Sequence, residues 1–263
     1  MQVRLMRTGL IGLGLVLLAA SVGAVAAEEG AAAGHEAEGG VNWQAWKAGN
    51  DVKSTASLQR GAAHFVNYCS GCHSLKYVHW SRVATDLEIP DKVLRDELLP
   101  PGAKPTDYIV ASFPKADAEN WFGKQPPDLS LEVSARGADW VYQFLKGFYV
   151  DTTKRTGTNN LVLDNPAMPA VLSSLEGVKA AVFAEPPVSG EPKVVDHFET
   201  VAPGSLTPEQ YDSFVRDIVN FLDYVSDPSQ VERRAIGIWV VLFLLVFTAF
   251  AWMLKKEYWK DVH

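Results

Sequence analysis

The chain has 263 residues, 48% hydrophobic and 21% charged, with 24 Lys+Arg against 31 Asp+Glu and a formal net charge of -7. That composition is globular, and its acidic balance argues against nucleic acid as a partner while suiting a basic protein surface. Two cysteines and four methionines are present, few enough that each can be followed along the chain.

Residues 1–27 read as an export signal. Arg4 and Arg7 form a short positive region, Leu10 to Ala20 is apolar, and Ala24-Val25-Ala26-Ala27 offers small residues for cleavage. A mitochondrial targeting segment would be richer in arginine and serine, and a membrane anchor would be longer with a charged flank. The expectation is a bacterial exported protein. Loss of the two arginines takes the formal charge from -7 to -9. Residues 28–41 are low in complexity and read as a tether. Residues 42–226 have the length of one domain.

Ser57 to Tyr68 places Leu58, Ala62, Phe65 and Val66 on one side at helical spacing. Gly61 inside that helix is unfavourable, so it predicts close contact with another helix. The helix runs into Cys69-Ser70-Gly71-Cys72-His73, which holds both cysteines of the chain. This spacing reads as covalent attachment of one c-type haem: two thiols form thioethers, and the adjoining imidazole becomes an iron ligand. A zinc site needs four ligands and no second pair exists. A redox-active Cys-x-x-Cys would sit in a βαβ setting, which the sequence lacks. Asp86, Glu88, Asp91, Asp96 and Glu97 follow as an acidic run that reads as a solvated face.

Four methionines narrow the choice of a sixth ligand. Met1 and Met6 fall in the signal and Met253 in the C-terminal apolar span. Met168 remains, within Asn165-Pro166-Ala167-Met168-Pro169, where two prolines favour an extended backbone. It is the favoured ligand, since histidine–methionine ligation raises haem potential. His79 lies too close to His73 to reach the opposite face, and His35 is in the tether. His64 and His197 stay open as competitors. Glu185 to Gly204 is proline-rich and predicts an irregular surface excursion.

Thr207-Pro208-Glu209-Gln210 supplies an N-cap, a first-turn proline and a capping-box glutamine. Tyr211, Phe214, Val215, Ile218, Leu222 and Val225 then form an apolar stripe that Asp227-Pro228 ends. Residues 227–234 read as a juxtamembrane linker. Ala235 to Leu254 carries no charge, and its length makes about 30 Å of helix, one bilayer core. Trp239, Trp252, Tyr258 and Trp259 lie near its ends. With an export signal in front, the domain is periplasmic and residues 255–263 form a cytoplasmic tail.

The string Cys69-Ser70-Gly71-Cys72-His73-Ser74-Leu75-Lys76-Tyr77 resembles the cytochrome c1 family, the haem subunit of the quinol–cytochrome c reductase (cytochrome bc1) complex. Trp121, Pro126-Pro127-Asp128-Leu129-Ser130, Ala135-Arg136-Gly137, Ala167-Met168-Pro169 and the single C-terminal membrane helix are similar too. The resemblance implies a mainly α, cytochrome c-like haem domain with crossed terminal helices and long irregular loops, plus one C-terminal transmembrane helix. It implies that Pro126 and Pro127 wall the haem and that Arg136 pairs with a haem propionate. Trp140 stands where a tyrosine is often found.

The function so implied is electron transfer, not bond chemistry, in a respiratory or photosynthetic chain. Electrons would come from a Rieske iron–sulfur protein and leave to a soluble or tethered cytochrome c. The implied setting is the bacterial inner membrane, beside cytochrome b in a dimeric complex. One rival is a free-standing tethered cytochrome that feeds a terminal oxidase. Another is a haem enzyme or gas sensor, which requires a vacant sixth position.

Overall fold

A computed structural model describes residues 40–184 and 193–260 of the chain. The expected signal 1–27, most of the expected tether 28–41, His35 and residues 185–192 lie outside the described residues. A 3₁₀ turn at Trp43–Ala45 precedes α1 (Thr55–Tyr68), β1 (Leu75–His79) and α2 (Trp80–Asp86). Then come α3 (Asp91–Val93), a π turn at Leu94–Leu98, β2 (Tyr108–Ile109), α4 (Lys115–Phe122), α5 (Glu132–Arg136) and α6 (Ala138–Lys146). The chain continues through β3 (Phe148–Val150), β4 (Thr158–Asn160), α7 (Ser173–Glu176), β5 (Gly177–Phe183) and β6 (Val195–Pro203). Finally, α8 (Pro208–Ser226) and α9 (Gln230–Tyr258) follow. The fold is mainly helical, with antiparallel pairs β1–β2, β3–β4 and β5–β6 among the described residues.

The centre of the domain is the crossing of α1 and α8. Leu58, Ala62 and Phe65 from α1 are buried against Val215, Ile218, Phe221 and Leu222 from α8. Full burial of each large side chain is worth about 1.5–3 kcal/mol, so the seam outweighs the ~1 kcal/mol that Gly61 costs its helix. A Cβ at Gly61 would lie 2.0 Å from the Asp217 carbonyl oxygen and 2.7 Å from Phe221 Cβ. The close contact expected at Gly61 is therefore with α8.

Polar groups lock the same crossing. Ser57 Oγ donates to Asp217 Oδ1 at 2.6 Å, and Arg60 donates to both Asp217 oxygens at 2.6 and 2.9 Å. Thr207 caps α8 in the expected capping box with Gln210, and Pro208 occupies the first turn. A second, smaller core gathers Trp43, Tyr149, Leu161 and Val195 beneath the β3–β4 and β5–β6 pairs.

One local expectation changes. Of the irregular excursion expected over 185–204, residues 195–203 form β6, paired with β5. Val195 is buried and Phe198 half-buried on that strand, so apolar anchoring overrides the nearby prolines. The expected linker 227–234 is helical from Gln230 onward, because nothing after Pro228 breaks a helix. Within α9 the most apolar window has a mean hydropathy of 2.4 and none of it is buried, so the helix is long and apolar enough to cross a membrane.

Candidate haem site

Helix α1 delivers the cysteine motif. Cys69 caps it, donating its N–H to Phe65 O at 2.8 Å. The chain then makes one tight turn, with Cys72 N and His73 N donating to Cys69 O at 3.1 and 2.8 Å. Both thiols are free, Cys69 half-buried and Cys72 exposed. Burial pushes the Cys69 thiol up to about 12, which keeps it protonated.

A single hydrogen bond decides the state of His73. Its Nδ1 lies 2.8 Å from Pro127 O. A carbonyl only accepts, so Nδ1 carries the proton and Nε2 keeps its lone pair. Burial also pushes the His73 pKa down, ahead of the opposing Pro127 hydrogen bond. The imidazole is thus neutral and oriented, the state a metal ligand requires.

The segment around Pro127 is stitched to the motif through backbone contacts. Leu129 N donates to Ser74 O at 2.9 Å, and Lys76 N donates to Asp128 Oδ2 at 3.0 Å. Ser130, fully buried, accepts from Tyr77 N at 3.3 Å. The structure brings Pro127, Asp128 and Ser130 onto the motif. The roles of Asp128 and Ser130 had no sequence signal beyond their place in the Pro-Pro-Asp-Leu-Ser string.

Arg136 ends α5 and forms an ion pair with Glu132. Its guanidinium carbon lies 4.3 Å over the Trp140 ring centroid. Trp140 in turn stacks on Phe144 at 5.4 Å. The aromatic at position 140 therefore cradles the cation by its face.

Met168 is half-buried. It lines a cleft of about 220 Å³ with Phe148, Leu172, Glu176, Lys179 and Tyr211 among its walls; Cys69, Cys72 and His73 do not line that cleft. Glu176 and Lys179 form a half-buried ion pair there, and Lys179 Nζ donates to Lys146 O at 2.7 Å. Burial pushes Glu176 up and Lys179 down, and their pairing opposes both shifts.

The competing histidines have other engagements. His64 lies 4.1 Å from the Phe214 ring, and burial lowers its pKa. His197 is exposed on β6, with Nδ1 2.8 Å from Asp196. His79 stacks on Tyr108 at 3.8 Å.

Two free thiols on one turn and a neutral imidazole with its Nδ1 engaged fit a c-type haem. Among the described residues no group of three or more His, Cys, Asp or Glu is arranged for a metal ion. A helical domain with this motif and one apolar C-terminal helix defines a membrane-anchored c-type cytochrome.

The Cytochrome C1 family model matches residues 82–262, more than half of the chain. The Cys69–His73 motif precedes that span, so the motif and the match are separate observations. A cytochrome c1 from Allochromatium vinosum is 47% identical over 81% of this chain and 87% of its own. An ammonia monooxygenase gamma subunit from Nitrosomonas europaea is 42% identical over 82% of this chain and 88% of its own. A chain of a hyperthermophilic respiratory Complex III aligns with a TM-score of 0.37 at 17% identity, covering 79% of this chain and 77% of that one, a likeness too weak to carry an argument. The chain belongs to the cytochrome c1 family. It is a membrane-anchored carrier of covalently bound haem c, with an electron-transfer role in the bc1 complex.

Proposed function

We propose that the protein passes electrons from a Rieske iron–sulfur protein to a soluble or tethered cytochrome c, as the haem subunit beside cytochrome b in a dimeric complex. Haem c, when bound, supplies a one-electron iron centre. Cys69 and Cys72 would hold it through thioethers, and His73 Nε2 and Met168 would be its iron ligands. Pro126 and Pro127 would wall the group, and Arg136 would pair with a propionate. With His73 and Met168 both bound to it, the iron would carry electrons rather than a substrate.

The observation that carries this reading is the His73 Nδ1–Pro127 carbonyl hydrogen bond at 2.8 Å. It fixes the tautomer and leaves the lone pair on Nε2, so the imidazole is prepared as a ligand. Pro166 and Pro169 lower the entropy that Met168 loses on binding.

The proposed organisation is a cleaved signal over 1–27, a tether over 28–41 and a haem domain over 42–226. A junction over 227–234, a membrane span over 235–254 and a tail over 255–263 complete it. The haem domain faces the periplasm of a bacterial inner membrane, the setting in which an exported Cys-x-x-Cys-His chain meets haem.

Covalent haem and ligation are tested together. Haem staining on a denaturing gel labels the wild-type band, and Cys69→Ser or Cys72→Ser weakens it. Met168→Leu lets reduced protein bind carbon monoxide and lowers the midpoint potential. An unstained wild-type band refutes covalent attachment, and an unchanged Met168→Leu spectrum transfers the sixth position to His64 or His197. Mild detergent extraction co-purifies a cytochrome b and a Rieske protein. Recovery of a lone haem protein favours the free-standing shuttle.

A further inference from the structure

Buried amides have to find partners, because an unpaired one costs more than a formed hydrogen bond returns. Strand β4 ends in two such residues, Asn159 and Asn160, 3% and 0% exposed. Their partners lie in the loop that leads to Met168. Asn159 Oδ1 accepts Asn165 N at 2.8 Å, while Asn159 Nδ2 donates to Asp164 Oδ1 at 2.9 Å and Asp151 Oδ2 at 3.1 Å. Asn160 Oδ1 accepts Val162 N at 2.9 Å and Leu163 N at 3.3 Å, and Asn160 Nδ2 donates to Phe144 O at 2.8 Å.

Lys193, 7% exposed, closes the arrangement from the far side. Its Nζ donates to Asn160 O at 2.5 Å and to Asp164 Oδ1 at 3.3 Å, joining the two ends of the loop's first half. Asn165 then takes a left-handed φ of 52°, a conformation asparagine tolerates. That residue turns the chain into buried Pro166, two positions before Met168. From Val162 to Asn165, the backbone is held by the two asparagine side chains rather than by a strand or helix.

We propose that Asn159, Asn160 and Lys193 are positioning residues that hold the 161–168 loop so that Met168 stays on the haem iron. The inference rests on Met168 as the sixth ligand. A thioether is a neutral, weak donor, so its hold on iron depends on how often the loop places it there. Any loosening raises the fraction of iron left open by the thioether and raises the apparent affinity of a competing ligand by the same factor.

Imidazole titration of the ferric, haem-loaded, full-length protein reads that factor directly. Asn159→Ala and Lys193→Met each raise imidazole affinity about fivefold or more, the scale of one or two lost hydrogen bonds, with covalent haem retained. Asn220→Ala is the control. It removes buried bonds to Asp51 O and Ser57 Oγ in the α1–α8 seam, so it lowers stability and leaves imidazole affinity unchanged. Met168→Leu sets the upper limit of affinity. If Met168→Leu raises affinity while Asn159→Ala and Lys193→Met leave it at the wild-type value, the positioning role is overturned. An equal rise in Asn220→Ala overturns it as well, in favour of general destabilisation. Wild-type affinity in Met168→Leu removes the ligand reading itself, an outcome visible in that variant alone.

Discussion

Gly61→Ala sets two effects of opposite sign against each other. Helix propensity alone favours alanine by about 1 kcal/mol. The new Cβ, however, lies 2.0 Å from the Asp217 carbonyl oxygen, where an ordinary contact is about 3.5 Å. Both atoms belong to backbone-fixed positions, so α1 and α8 have to separate by roughly 1.5 Å, a change comparable to an overpacked core at ~1–3 kcal/mol. Separation also lengthens the Ser57 and Arg60 hydrogen bonds to Asp217, which is only 5% exposed. Each such bond to a charged group is worth about 1.5–3 kcal/mol. The expected net loss is about 2–4 kcal/mol, a fall in Tm of about 5–15 °C for a domain of this size. Thermal unfolding of haem-loaded protein, followed by far-UV circular dichroism, measures it. A Tm that is unchanged or higher would show that propensity governs the position, and would refute the close crossing.

Arg136→Leu lowers the haem midpoint potential, since a nearby positive charge favours the reduced iron; an unchanged potential confines Arg136 to its Glu132 pair and Trp140 stack. The carboxyls of Asp151 and Asp164 are held below their ordinary value of 3.8, first by the Thr153 hydroxyl and the Asn159 amide respectively. Their stabilisation is therefore present above pH 3.8 and lost as pH falls through the depressed values. Asn159→Ala returns Asp164 toward its ordinary value and flattens stability against pH below 3.8 in an acid titration; parallel curves reject the coupling. A chain ending at Ser226 yields a water-soluble domain that still stains for haem. It is slightly less stable, because Gln230 Nε2 no longer donates to Asp223 O at 3.4 Å. A truncated protein that resists alkaline extraction from membranes points to a second anchor.

Features encoded within a few residues were legible before any fold was known. The Cys69–His73 turn, the Thr207–Gln210 capping box and the charge-free span from Ala235 to Leu254 each depend on short-range geometry. So do the apolar stripes of α1 and α8. The excursion predicted over 185–204 failed for β6 because pairing with β5 depends on a distant strand. Asn159 and Asn160 left no readable signal, since asparagines beside a loop usually face water. Only burial reveals that these two organise it.

The sequence alone determined the chemistry that can be attached. Two thiols and an adjoining imidazole are a set whose meaning lies in residue type and spacing. It also determined where the chain can enter a membrane, because hydropathy is a sum over neighbouring residues. The tertiary structure decided which lone pair His73 presents, through a carbonyl 54 positions away at Pro127. It decided that Gly61 serves the approach of α8, and that a buried lysine and two buried amides shape the loop before Met168. These are properties of contacts between segments remote in sequence, and their energies exist only once burial has removed water as the alternative partner.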